Sequence, residues 1–296
     1  MSMSMAGTRI AAVMTVYNRV DLTLDCLRSL QAQDTLEATL DTYVVDDAST
    51  DGTPERIASE HPDVTLLAGD GNLYWNGGMR MAFGAALQRD YDYYLWMNDD
   101  TRLDDGALRR LLETNQVLRQ RCERPSIVAG TTREPGTGVL TYGGRRRLSR
   151  RQPLLFTLVE PSQTPQQVET MNGNIALIPR EVAARVGNID PAFRQQMGDF
   201  DYGLRAQRAG CSVWLAPGVL GECAEHPPRR TDEQPLIAEL RRLWSIKELS
   251  PRAWATFTRR WAGPLWPAYW LSPYVRRGLR LMAERVRSLR APLRRN

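Results

Sequence analysis

Residues 9–130 alternate short apolar runs with amphipathic stretches, and this alternation restricts the fold more tightly than anything else in the chain. The runs lie at 10–15, 42–46, 64–67, 93–97 and 126–129. Each run reads as a strand candidate. Between them apolar residues recur at helical spacing, as in Leu24, Leu27 and Leu30. Asp21 and the pair Thr53-Pro54 supply helix-start signals. The order β-α-β-α-β-α-β-α-β predicts an α/β chain with a Rossmann-like, mostly parallel sheet flanked by helices. From 131 to 170 the pattern breaks into Gly-, Pro- and Gln-rich loops with short strands near 154–159. A strand is then expected at 175–179 and helices at 180–187, 199–209 and 233–248.

With 42% hydrophobic and 25% charged residues among 296, the chain can bury a core without disulfides, as one large domain or two fused halves. Collagen-like, disordered and disulfide-scaffold classes are excluded. Cys26, Cys122, Cys211 and Cys223 form no Cys-x-x-Cys pair, so a reducing cytoplasm is expected. The start MSMSMAGTR lacks the features of a signal peptide, and the longest uncharged stretch, 261–274, is interrupted by Pro264, Pro267 and Pro273. No membrane span is expected.

In open α/β sheets ligands bind beyond the carboxyl ends of the strands, so the polar residues after each run are the candidates for chemistry. Thr15-Val16-Tyr17-Asn18-Arg19 follows the first run without a glycine-rich turn, which argues against a dinucleotide site and a nicotinamide dehydrogenase. After the second run, Asp51-Gly52 makes a turn and Thr53 a cap. Asp46 and Asp47 are left to accept hydrogen bonds from a base or ribose, or to be solvated. The fourth run ends in Asn98-Asp99-Asp100. Adjacent carboxylates repel unless a cation or donors compensate, and hard oxygens sharing a shell with water and phosphate suit Mg²⁺ or Mn²⁺. Gly77 and Gly78 lie just before an amphipathic helix, where backbone N–H groups can meet a diphosphate or hydroxyls. Asp199-Phe200-Asp201 opens a later helix, and Asn172-Gly173-Asn174 offers amides that suit sugar hydroxyls as well as turns. His61 reads as a surface residue.

Taken in order, TVYNR, VVDDASTDGT, GNLYWNGGMRMAF, LWMNDDT and GDFDYGLRAQRAG resemble the successive motifs of glycosyltransferase family 2, over about residues 9–228. The resemblance implies the GT-A fold and an inverting displacement assisted by Mg²⁺ or Mn²⁺. By it Thr15, Tyr17, Arg19, Asp46 and Asp99 contact the donor nucleotide, with Asp46 at the base and Asp99 at the nucleoside sugar or phosphate. Asp100 and His226 hold the cation. Trp75, Asn76, Gly77 and Gly78 line the donor-sugar pocket, Asn172, Gly173 and Asn174 face the acceptor, and Asp199 is the general base. The implied donor is a UDP- or dTDP-linked hexose. The implied acceptor is a hydroxyl of a glycan or lipid-linked glycan in cell-surface polysaccharide synthesis. Asn98 departs from the family's commoner D-x-D, Gly198 stands where Glu is usual, and Trp75 and Asn76 replace smaller residues. Two rivals stay open. One is a nucleotidyltransferase, for which TVYNR lacks a basic glycine-rich loop. The other is a non-catalytic sugar-nucleotide or glycan-binding protein, which Gly198 and Asn98 favour.

Residues 252–296 hold eleven arginines and one glutamate, a net +10 that leaves −5 for the rest of the chain. Five of the eight tryptophans lie beyond residue 229, and helical spacing puts Val275, Leu279 and Met282 on one face with arginines opposite. That is the pattern of a helix lying on an anionic bilayer, with a lid or dimer contact as the alternative and no nucleic-acid module in sight. The expected organisation is a nucleotide-sugar half at 1–125, an acceptor and base half at 126–228, and a basic, Trp-rich helical extension at 229–296. Such a chain is expected in the cytoplasm, at the inner face of the membrane.

Overall fold

The computed structural model describes residues 5–121, 124–149, 151–225 and 250–290, which fall into two compact units, Met1–Pro227 and Pro228–Asn296. The first opens with the expected alternation: β1 (Arg9–Val16), α1 (Val20–Gln31), β2 (Thr39–Asp46), α2 (Thr53–Glu60), β3 (Thr65–Ala68), α3 (Tyr74–Ala86) and β4 (Tyr93–Met97). A short β5 (Arg102–Leu103), α4 (Ala107–Arg121) and β6 (Ser126–Arg133) follow. Next come β7 (Gly144–Ser149), β8 (Gln152–Leu158), β9 (Gln166–Val168), β10 (Thr170–Met171) and β11 (Ile175–Pro179). The unit ends with α5 (Arg180–Val186), α6 (Gly198–Arg208) and β12 (Ser212–Glu222).

The main sheet has the order β3-β2-β1-β4-β11-β6-β12-β5, with β9 added beside β12. It is parallel from β3 to β4, as expected, and mixed beyond, because β11 runs antiparallel between β4 and β6. Alternate residues of β1 feed two cores. Ile10, Ala12 and Met14 join Leu24, Leu27 and Leu111 of α1 and α4, while Ala11 and Val13 join Met79 and Phe83 of α3. A separate three-stranded sheet, β10-β7-β8, carries Arg145, Arg146 and Arg147.

Two helix starts differ from expectation. Asp21 lies inside the first turn of α1, and Thr53 is the first residue of α2 behind Gly52 at φ 84°. Asp51 serves both: its carboxylate accepts the N–H groups of Val20 (3.1 Å) and Thr53 (3.2 Å). His61, read as a surface residue, is 4% exposed and its Nδ1 lies 2.9 Å from Gln31 Oε1.

The second unit comprises α7 (Pro251–Trp261), a 3₁₀ turn (Gly263–Leu265) and α8 (Trp266–Arg290). Trp254 stacks on Phe257, with centroids 6.0 Å apart, and both are buried with Trp261. Leu271, Val275, Leu279 and Met282 of α8 are exposed at helical spacing. Among the described residues no helix is long and apolar enough to cross a membrane. The helix expected at 233–248 lies outside the described residues.

Candidate active site

The sheet topology decides which residues meet. β1 has β2 on one side and β4 on the other, so the carboxyl ends of these parallel strands bring Arg19, Asp46 and Asn98–Asp100 to one edge, at the switch point of the strand order. Because β11 is antiparallel and pairs Ile175 with Met97, its amino end delivers Asn172–Asn174 to the same edge. The carboxyl end of β12, parallel to β6, adds Cys223. Behind the edge, Trp96 of β4 packs on Tyr202 of α6 at 4.7 Å, with Phe83 of α3 5.4 Å from the Trp96 ring. Trp96 precedes Asn98 by two residues and Tyr202 follows Asp199 by three, so this aromatic cluster sets the start of α6 against the end of β4.

The acidic pair is compensated as its charge requires. Side chains of Asp99 and Asp100 are 8% and 3% exposed, and Arg19 Nη1 lies 2.6 Å from Asp100 Oδ2 and 3.5 Å from Asp99 Oδ1. Cys223 Sγ donates to Asp100 Oδ1 (3.2 Å), and burial together with Asp100 pushes its thiol up to about 12. Burial, with Asp99 and Asp100, also raises Cys26, whose Sγ lies 3.3 Å from Asn98 O. Both thiols therefore stay protonated. Buried carboxylate oxygens facing a guanidinium fit a divalent cation that completes its shell with water and diphosphate oxygens. Among the described residues no group of three or more His, Cys, Asp or Glu could hold a metal by itself, and His226 lies outside the described residues.

Asp46 and Asp47 divide their duties. Asp47, expected to be without a structural role, accepts the N–H groups of Gly71 (2.8 Å), Leu73 (3.0 Å) and Tyr74 (3.1 Å) and so fastens the entry to α3. Asp46 Oδ2 accepts from Ser49 N (3.1 Å), and its Oδ1 is buried with no partner among the described residues. Thr15 is 7% exposed and donates to Val45 O (3.2 Å), whereas Tyr17 is 54% exposed. A Cβ at Gly78 would lie 2.0 Å from Thr15 Oγ1, so Gly78 serves the packing of α3 on β1.

Trp75 connects the two carboxylate clusters. Its Nε1 donates to Asn98 Oδ1 (2.7 Å), and its ring covers Gly173, where a Cβ would sit 2.4 Å from Cη2. Gly173 N in turn donates to Asp199 Oδ2 (3.2 Å), and Phe200 N to Asp199 Oδ1 (2.8 Å). Asp199 is half-buried, and burial raises it above the ordinary carboxylate range against the pull of these N–H groups and Arg145. Asp201, two residues on, is fully buried and paired with Arg205 at 2.7 Å, so it belongs to the scaffold. Asn76 explains the missing side chain at 198: a Cβ on Gly198 would lie 1.9 Å from Asn76 Oδ1. The Asn76 carboxamide is fully buried, and neither of its polar atoms has a partner among the described residues. Gly77 shares with Asn76 the carbonyl of Arg194.

The 172–174 loop is the hub. Asn172 Oδ1 accepts from Arg145 Nε (2.8 Å), Gly173 bonds Asp199, and Asn174 Nδ2 donates to Cys223 Sγ (3.3 Å). Asp100 and Asp199 are thus joined through Cys223, Asn174 and Gly173. Sequence reasoning missed Arg145 and Cys223. Arg145 sits in a strand with no apolar period, and Cys223 follows a strand whose Pro217-Gly218 hid it.

The family model for glycosyl transferase family 2 matches residues 11–187. The N-acetylglucosaminyl-diphospho-decaprenol L-rhamnosyltransferase of Mycobacterium tuberculosis is 26% identical over 225 residues, 67% of this chain and 70% of that one. The undecaprenyl-phosphate mannosyltransferase of Micrococcus luteus is 29% identical over 146 residues, 47% of this chain and 55% of that one. Among solved structures, the mannosyltransferase PcManGT from Pyrobaculum calidifontis, in complex with GDP-Man and Mn²⁺, superposes with a TM-score of 0.52 at 21% identity. That match covers 85% of this chain, which spans 64% of the length of PcManGT. With the motifs on one sheet edge, the GT-A fold and a family model spanning more than half its length, this chain belongs to glycosyltransferase family 2.

Proposed function

We propose that the chain is an inverting, cation-dependent glycosyltransferase that moves a hexose from a UDP- or dTDP-linked donor to a hydroxyl of a lipid-linked glycan, in cell-surface polysaccharide synthesis. The observation that carries this reading is the junction of Asp100 and Asp199 through Cys223, Asn174 and Gly173. Asp100 would hold Mg²⁺ or Mn²⁺ beside the donor diphosphate, with Asp99 at the nucleoside sugar or phosphate and Arg19 as counter-charge. When bound, that cation offsets charge developing on the departing diphosphate. Asp46, with a buried unpartnered oxygen, faces the nucleoside, and Trp75 fixes Asn98 beside the donor sugar.

Asp199 takes the proton of the acceptor hydroxyl as it attacks the anomeric carbon from the face opposite the diphosphate. A carboxylate raised by burial is a better base than a solvated one, which suits this duty. Packing of Asn76 accounts for Gly198, so the missing side chain is no sign of a lost base. The nucleotide-sugar role falls to residues 1–125 and the acceptor and base role to 126–228. The lipid link is supported by the two relatives, whose names carry diphospho-decaprenol and undecaprenyl-phosphate.

The extension from 229 places the enzyme on the inner face of the membrane. Its support is the exposed stripe Leu271, Val275, Leu279 and Met282 beside Arg276, Arg277 and Arg280. Co-sedimentation with anionic liposomes tests it: the full chain pellets and a chain ending at 250 does not, and equal pelleting refutes the role. The reaction is tested by nucleoside diphosphate release from a panel of donors. Release is expected to stop on chelation and return with Mn²⁺, and release indifferent to chelation would remove the cation from the reading.

A further inference from the structure

Arg145 has no task in the reaction just proposed, yet it stands beside the base. Its guanidinium is held from two directions, Nε donating to Asn172 Oδ1 (2.8 Å) and Nη2 to Thr141 O (3.4 Å). No carboxylate pairs with it within salt-bridge distance among the described residues, and Nη1 has no hydrogen-bond partner among them. Asp199, Glu225 and Tyr142 act on it electrostatically, and burial lowers its pKa while leaving it charged. The next two arginines of the same strand differ. Arg146 is exposed and donates to Gln167 O (3.0 Å), and Arg147 is matched by Glu169 at 3.6 Å. A half-desolvated guanidinium without an ion pair is costly by itself, and its planar fork matches a phosphate.

We propose that Arg145 is a specificity-determining residue that receives a phosphate group of the acceptor, next to the hydroxyl that Asp199 deprotonates. The inference rests on the reaction proposed above and narrows its acceptor to glycans phosphorylated close to the reacting sugar. The donor's own diphosphate is the other source of the same chemistry. Arg145 is tied to both sides of the site, through Asn172 to the 172–174 loop beside Asp199 and through Thr141 to Cys223, whose Sγ donates to Asp100, so the titrations below separate the two sources.

The test is isothermal titration of the full chain saturated with nucleoside diphosphate and Mn²⁺. An alkyl N-acetylglucosaminyl diphosphate is compared with the uncharged alkyl N-acetylglucosaminide in wild type, R145Q, R145K and R146Q. Wild type is expected to prefer the charged compound by roughly 10- to 100-fold, the range for one charge-assisted pair. R145Q loses that preference, R145K keeps part of it, and R146Q keeps all of it. Nucleoside diphosphate affinity stays equal in all four proteins. No preference in wild type, a preference that survives in R145Q, or an equal loss in R146Q overturns the proposal. So does weakened nucleoside diphosphate binding in R145Q, which would hand the guanidinium to the donor. The catalytic reading fails separately, through absence of nucleoside diphosphate release, which these titrations do not measure.

Discussion

Replacing Gly173 by alanine tests whether Trp75 and Asp199 share one packed junction. The new Cβ would lie 2.4 Å from Trp75 Cη2 and 2.8 Å from Cζ2, with Asp199 Cβ at 3.6 Å. The indole cannot swing away freely, because its Nε1 is bonded to Asn98 Oδ1 and its backbone N to Gln195 Oε1. Overpacking of this kind costs about 1–3 kcal/mol, and breaking the indole hydrogen bond adds about 0.5–1.5 kcal/mol. At roughly 2–4 °C per kcal/mol for a unit of this size, G173A should melt roughly 3–18 °C below wild type. The assay is thermal unfolding of G173A, W75F and the double variant. Phenylalanine lacks the two atoms that collide, so the double variant should be more stable than the sum of single effects by about 1 kcal/mol or more. If G173A melts within about 1 °C of wild type, or the two effects simply add, the junction described here is wrong.

Two further outcomes follow from the same geometry. G198A places a methyl group on the Asn76 carboxamide and should lower Tm, and N76A in the same chain should recover part of the loss; a G198A protein as stable as wild type would reject the packing account of Gly198. Asp199, raised by burial, holds its proton in the folded chain at pH values where the unfolded chain has released it, so its ionisation opposes folding. D199N should therefore be at least as stable as wild type near pH 8, with the difference shrinking toward pH ~4, and turnover should fall on the acid side as Asp199 is protonated; a D199N protein less stable at the higher pH contradicts the assignment.

The parallel half of the fold was legible because its central strands β1 and β4 are buried along nearly their whole length and announce themselves as unbroken apolar runs. The turn after such a run must hold the polar residues, so Arg19, Asp46, Asp99 and Asp100 stood out. What was illegible depends on partners far away in the chain. β12 is interrupted by Pro217-Gly218, where its register with β6 shifts between Leu215 and Val219. β7 reads as a charged loop, since its arginines are matched by Glu169 and Asn172 rather than by an apolar face. Asp47 looked free because the N–H groups it serves lie 24–27 residues later, at Gly71, Leu73 and Tyr74. Gly198 looked like a defect because Asn76, which fills its space, is contributed by another helix.

The central claim is that Asp100 and Asp199 serve one reaction, the first on the donor side and the second on the acceptor. The most direct measurement combines Mn²⁺-dependent nucleoside diphosphate release with donor binding in wild type, D100N and D199N. D199N should bind donor as wild type does while release falls by about 10²- to 10⁴-fold, the share of a positioned base, and D100N should lose Mn²⁺-dependent donor binding itself. D199N turning over at the wild-type rate, or D100N binding donor with unchanged dependence on Mn²⁺, would contradict the account.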